Sequence, residues 1–84
     1  MKLAIGCDHG GFVLKEEILK YIKTLKNIEV ADFGAASKDS VDYPDYGAKV
    51  SEAVSNGTMD RGILICGTGI GMSIVANRFP KVRA

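Results

Sequence analysis

The chain has 84 residues, 46% of them hydrophobic and 25% charged, with a formal net charge of +1. That length holds one small domain, the near-neutral balance without a Lys/Arg cluster argues against a nucleic-acid partner, and the longest apolar run, Ile63-Leu64-Ile65-Cys66, is far too short to span a bilayer. The opening residues lack the apolar stretch and cleavage site of a signal peptide, and the two cysteines, Cys7 and Cys66, fit neither a CxxC nor a zinc spacing, so a reducing cytoplasm and no disulfide are expected.

Residues 2–6 read as a short buried strand that stops at glycine. Gly10-Gly11 leads into a helical pattern in which Phe12, Leu14, Ile18, Ile22 and Leu25 fall close to one face. Glu16 and Glu17 lie early and Lys20, Lys23 and Lys26 late, as the helix dipole favours, and Asn27 is a stop. Residues 28–33 read as a second strand closed by Gly34. Residues 35–43 read as polar loop, with Pro44 near a helix start. Tyr46, Val50, Ala53 and Val54 give the next helix its apolar stripe, and Asn56-Gly57 ends it.

Residues 61–66 form a third strand. Its run Ile63-Leu64-Ile65 lacks polar alternation, as expected of a strand covered on both faces. Gly67-Thr68-Gly69-Ile70-Gly71 is a glycine loop, residues 72–78 a third helix that must end before Pro80, and Val82-Arg83-Ala84 the opening of a fourth strand. Alternation of strand and helix predicts an α/β, Rossmann-like, doubly wound parallel sheet in three layers, one domain over residues 1–84. Three strands leave an edge exposed, so the expectation is a sheet truncated after the third helix.

In open parallel sheets, ligands bind beyond the carboxyl ends of the strands where the strand order reverses. If the order begins 2-1-3, the loops Cys7-Asp8-His9-Gly10-Gly11 and Cys66-Gly67-Thr68-Gly69-Ile70-Gly71 meet there. A Cys66 thiolate would face amide N–H groups and the positive end of a helix, which stabilise its charge; the competing reading is a small buried apolar residue. Gly67, Gly69 and Gly71 let the backbone approach an anion, a phosphate or an enediolate oxygen, or simply make a tight turn. Thr68 offers a hydroxyl or a cap.

Asp8 can take a substrate hydroxyl proton or cap a helix, and His9 can hydrogen-bond a sugar phosphate or lie on the surface. Asp45 and Tyr46 read as structural, Tyr43 as a pocket-wall candidate, Cys7 as packing, and Arg78, Lys81 and Arg83 as charges near a helix end. Asp32 ends the second strand, where a nicotinamide-binding fold would place a ribose ligand. However, the loop is G-x-G-x-G rather than G-x-G-x-x-G, and it follows the wrong strand, which disfavours NAD.

Three stretches carry a resemblance: Gly6-Cys7-Asp8-His9-Gly10-Gly11-Phe12, Ser40-Val41-Asp42-Tyr43-Pro44-Asp45-Tyr46, and Ile65-Cys66-Gly67-Thr68-Gly69-Ile70-Gly71-Met72-Ser73-Ile74 with Ala76-Asn77-Arg78. In this order they resemble the type B ribose-5-phosphate isomerases, part of a wider sugar-phosphate isomerase group that includes the galactose-6-phosphate isomerase subunits. The resemblance implies a cytoplasmic enzyme of the pentose phosphate pathway that interconverts ribose 5-phosphate and ribulose 5-phosphate through a cis-enediolate. It implies a homodimer or tetramer and no metal or cofactor. By the same resemblance Cys66 is the proton acceptor, the stretch Gly67, Thr68, Gly69, Ile70 and Gly71 holds substrate and enediolate oxygen, and Asp8 and His9 bind substrate, with Thr68 and Tyr43 as further candidates.

Members of that family are longer. Their second half supplies a ring-opening histidine, a neighbouring asparagine and phosphate-binding arginines, so the 84 residues alone are expected to be at best very weakly active. Galactose-6-phosphate or allose-6-phosphate isomerisation, a non-catalytic phosphosugar-binding fragment, and a half-domain that only associates with another chain are the alternatives.

Overall fold

Three parallel strands lie side by side in the order β2-β1-β3, formed by Lys2–Cys7 (β1), Glu29–Asp32 (β2) and Arg61–Ile65 (β3). The computed structural model describes residues 1–34 and 43–84, the side chains of residues 43–45 excepted. Three helices alternate with the strands: Phe12–Ile22 (α1), Tyr43–Ser55 (α2) and Ile70–Ala76 (α3). The 2-1-3 order is what the alternation of elements anticipates, and it puts the reversal point between β1 and β3.

β1 is the central strand and is buried from Leu3 to Cys7. Its register with β2 runs from Lys2 opposite Glu29 to Ile5 opposite Asp32, and with β3 from Leu3 opposite Arg61 to Cys7 opposite Ile65. Side chains alternate between the two faces. On one face Ile5, Cys7 and Ile65 cluster with Leu19 of α1, with Phe12, Ile18, Val30 and Ile63 packed around them. On the other, Val50 of α2 lies directly over Gly6 and Gly62. Helices therefore cover both faces, and the sheet is the middle of three layers. Burying a side chain such as Ile5, fully enclosed here, contributes about 1.5–3 kcal/mol.

Several boundaries and one helix face differ from the sequence reading. α1 buries Lys15, Leu19 and Ile22, at spacings of four and three, whereas Leu14 and Leu25 are exposed. The buried face differs from the one the apolar residues mark because a lysine takes a core position: Lys15 is 1% exposed and its ammonium contacts both oxygens of Asp32, at 2.9 and 2.8 Å. α1 also ends at Ile22; a tightened last turn then carries Leu25 N–H to Ile22 O, and Asn27 reverses the chain with φ of 70°.

α3 starts two residues earlier than expected and ends at Ala76. Residues 82–84 form no strand. Instead the Asn77 side chain pairs with the backbone of Ala84, accepting from its N–H at 2.9 Å and donating to its carbonyl at 3.3 Å. The polar loop expected at 35–43 lies outside the described residues up to residue 42, as do the side chains of Tyr43, Pro44 and Asp45. Among the described residues no helix is long and apolar enough to cross a membrane.

Candidate active site

β1 and β3 finish together, with Cys7 opposite Ile65 as the last register pair. Asp8 and Cys66 are therefore the next residue on each strand, neighbours across a spacing of roughly 4.8 Å between strand axes. The link is direct, because Asp8 N–H donates to Ile65 O at 3.1 Å. Beyond Asp8 the chain makes a single 3-10 turn, His9–Gly11, capped by the Asp8 carboxylate, whose Oδ1 accepts the Gly11 N–H at 3.0 Å.

Gly11 is buried against β3. A Cβ there would stand 2.7 Å from Ile65 Cγ2 and 2.8 Å from Ile65 O. Only glycine lets this turn rest on the end of β3, and so beside Cys66. The loop after Cys66 is built differently. Gly69 has a φ of 81°, the left-handed region open to glycine, and it allows α3 to begin at Ile70. That turn points the Gly69 N–H back at Cys66, donating to Sγ at 3.1 Å. Thr68 caps the same turn, its hydroxyl accepting the Ile70 N–H at 3.2 Å.

Cys66 is half-buried, whereas Cys7 is fully enclosed in the core cluster, and the two do not form a disulfide. The thiol at the strand end is thus reachable, and the other is packing. His9, Gly67, Thr68 and Ile70 are exposed around Cys66 and Asp8, with Gly69 and Gly71 partly exposed. The structure brings Asp8, His9, Cys66, Gly67, Thr68 and Gly69 to one end of the sheet. Ile70 and Gly71 form the first turn of α3, and the Tyr43 side chain lies outside the described residues. Chemically, the cluster presents a thiol with an amide donor on its sulfur, a carboxylate one strand away, and a glycine loop open to solvent.

One open groove among the described residues lies elsewhere. It measures about 530 Å³ and runs along the outer edge of β3, bordered by Val54, Leu64, Met72, Arg61 and Arg83, and it reaches the glycine loop only at Gly69. It follows the unpaired side of an edge strand and contains none of Cys66, Asp8 or His9. The chemistry therefore locates the site better than the cavity does.

Sequence reasoning overlooked the Lys15–Asp32 ion pair. Asp32 stands at the end of β2, and its carboxylate is occupied by Lys15 and by the Gly34 N–H at 3.0 Å. The recurrence Lys15, Leu19, Ile22 was the available clue.

The family described as Ribose/Galactose Isomerase matches residues 3–84. The chain is 51% identical over 83 residues to ribose-5-phosphate isomerase B of Escherichia coli K12, covering 99% of this chain and 55% of that protein. It superposes on the ribose-5-phosphate isomerase B of Clostridium thermocellum with a TM-score of 0.93 at 57% identity, over 99% of this chain and 55% of the other. The corresponding enzyme of Mycoplasma genitalium, solved with bound ribulose-5-phosphate, gives 0.85 at 39% identity, over 93% and 52%. The chain thus spans about half the length of the relatives it matches, corresponding to their N-terminal half, and by its sequence and its fold it belongs to the ribose/galactose isomerase family.

Proposed function

We propose that these 84 residues supply the proton-transfer half of an aldose–ketose isomerase domain acting on ribose 5-phosphate and ribulose 5-phosphate. The observation that carries this reading is the half-buried Cys66 thiol, one residue beyond the register pair that joins β3 to β1, with the Gly69 amide on its sulfur and Asp8 on the adjacent strand. In the open-chain aldose, the Cys66 thiolate takes the proton from C2. The C–H electron pair forms the C1=C2 bond, and the carbonyl pair moves to O1, giving an enediolate. A proton passes from the O2 hydroxyl to O1, for which the Asp8 carboxylate is the assigned carrier. The thiol then returns its proton to C1, leaving the ketose. The remaining N–H groups of the glycine loop are assigned to hold the developing oxyanion, and His9 and Thr68 are assigned to substrate hydroxyl or phosphate contacts.

A base so placed contributes about 10²–10⁴-fold. Ring opening and phosphate binding fall to segments outside the 84 residues, including those of a partner subunit in a dimer or tetramer. The glycine loop, open to solvent at Gly67 and Thr68, supports a second reading, in which this stretch binds the phosphosugar without turning it over. One experiment addresses both. A chimera joins this chain to the remaining portion of the Clostridium thermocellum isomerase, and it is incubated with ribose 5-phosphate in deuterium oxide alongside the isolated chain. Ketose formation with deuterium entering carbon 1, abolished by Cys66→Ala, supports the isomerase. Full turnover by the Cys66→Ala chimera removes the thiol from the base role. Ligand-induced amide shifts in the isolated chain without deuterium entry identify the binding fragment.

A further inference from the structure

The only charged side chain among the described residues that is fully enclosed is Lys15, and two of its contacts lead to the two ends of one short segment. Its ammonium sits 2.9 and 2.8 Å from the two oxygens of Asp32. Asp32 Oδ1 also accepts the Gly34 N–H at 3.0 Å, and Gly34 O in turn accepts the Cys7 N–H at 2.6 Å. Cys7 is the residue immediately before Asp8. At the other end of the turn, the residue immediately after Gly11 is Phe12, whose ring centroid lies 5.2 Å from the same ammonium. One ion pair therefore reaches both ends of the turn formed by residues 8–11, through two hydrogen bonds on one side and a cation–π contact on the other.

From this arrangement we infer that Lys15 and Asp32 are a positioning pair that holds the Asp8–His9 turn in place on the end of β3, beside Cys66. Neither side chain belongs to the ring of loop residues around the thiol. Their effect passes through Gly34 and Cys7 to the start of the turn, and through Phe12 to its end. A fully enclosed cation is costly without a paired anion, so the pair forms only when α1 and β2 are in register. That condition fixes the strand end from which Asp8 projects. What the turn is for rests on the isomerase reading above; that the pair holds it does not.

Amide hydrogen exchange on the 84-residue chain, read residue by residue by NMR, tests the inference without substrate. The double variant Lys15→Met/Asp32→Asn keeps the side-chain bulk and removes both charges. The expected result is exchange at least tenfold faster at the Cys7, Gly11 and Gly34 amides, with protection at Ile5 and Ile63 in the sheet unchanged. Asp32→Glu, which retains a carboxylate at a partly exposed position, is expected to restore most of the protection at Gly11. Wild-type protection of the three amides in the double variant would show that the turn is held without the pair and overturn the inference. Acceleration by the same factor at Ile5 and Ile63, or loss of the sheet altogether, would also overturn it, because the pair would then be a determinant of overall stability. Failure of the Cys66 experiment leaves this result standing, and the reverse holds as well.

Discussion

The Gly69 amide donates a 3.1 Å hydrogen bond to Cys66 Sγ, which makes the thiol and the loop after it one structural unit. The bond exists because Gly69 adopts a φ of 81°. That conformation folds the loop back on the strand end and lets α3 start at the following residue. A sulfur in this position is anchored on a half-buried residue, as the proposed proton transfer requires.

Replacing Cys66 separates chemistry from stability. The side chain is half-buried and outside the core cluster, so Cys66→Ala is expected to change unfolding free energy by no more than about 1 kcal/mol. In the chimera, isomerisation is expected to fall by about 10²–10⁴-fold. Urea unfolding and a ribulose 5-phosphate assay, run on the same preparations, check both parts. A large stability loss with proportionate activity loss would return Cys66 to a packing role.

Gly69 and Gly67 make a matched pair of substitutions. A Cβ at either position meets nothing within 4 Å, so steric clash cannot distinguish them. Backbone conformation does, since Gly69 alone of the two has a positive φ. Gly69→Ala is expected to cost about 1–2 kcal/mol, and Gly67→Ala to stay within about 0.5 kcal/mol. Equal costs in denaturant titrations would mean that the left-handed turn is not what shapes the loop.

Much of this site was legible in the sequence because parallel α/β topology dictates where loops go. Strand–helix alternation places the loops after β1 and β3 together, and the order β2-β1-β3 bears that out. What escaped was the part that breaks the pattern. Periodicity sorts residues by polarity, so it draws Leu14 and Leu25 to the buried face and gives Lys15 no place there, whereas Lys15 is enclosed by an ion pair with a residue 17 positions away. The start of α3 at Ile70 is not legible in the sequence because a glycine run hides which glycine turns the chain. Val82-Arg83-Ala84 has strand-like composition but no strand pairing, its end being held by Asn77.

Asp8 has one observed role, capping, and one proposed role, proton carriage, and different substitutions separate them. Its Oδ1 caps the turn through Gly11 N–H, a function asparagine performs equally well and alanine does not. Asp8→Asn is expected to leave stability within about 0.5 kcal/mol, while Asp8→Ala costs about 1 kcal/mol. In the chimera both are expected to lower turnover, because neither carries a carboxylate for the hydroxyl proton. Turnover by Asp8→Asn equal to that of the unsubstituted chimera, measured in the same assay, would confine Asp8 to capping.

Gly11 is the position where space itself is the constraint. An added Cβ would lie 2.7 Å from a methyl of Ile65 and 2.8 Å from its carbonyl oxygen, and a backbone atom cannot swing away as a side chain can. Gly11→Ala is therefore expected to destabilise by about 1–3 kcal/mol. Trimming the methyl with Ile65→Ala is expected to give no rescue, because the carbonyl remains. Gly62 provides the contrast. Its Cβ would meet a Val50 methyl at 2.6 Å, a side-chain contact, so Gly62→Ala is expected to couple favourably with Val50→Ala by about 0.5–3 kcal/mol in a double-mutant cycle. Rescue at Gly11 of the same size as at Gly62 would show that the turn can lift from β3, and the close approach of the Asp8 turn to Cys66 would then not be fixed by the backbone.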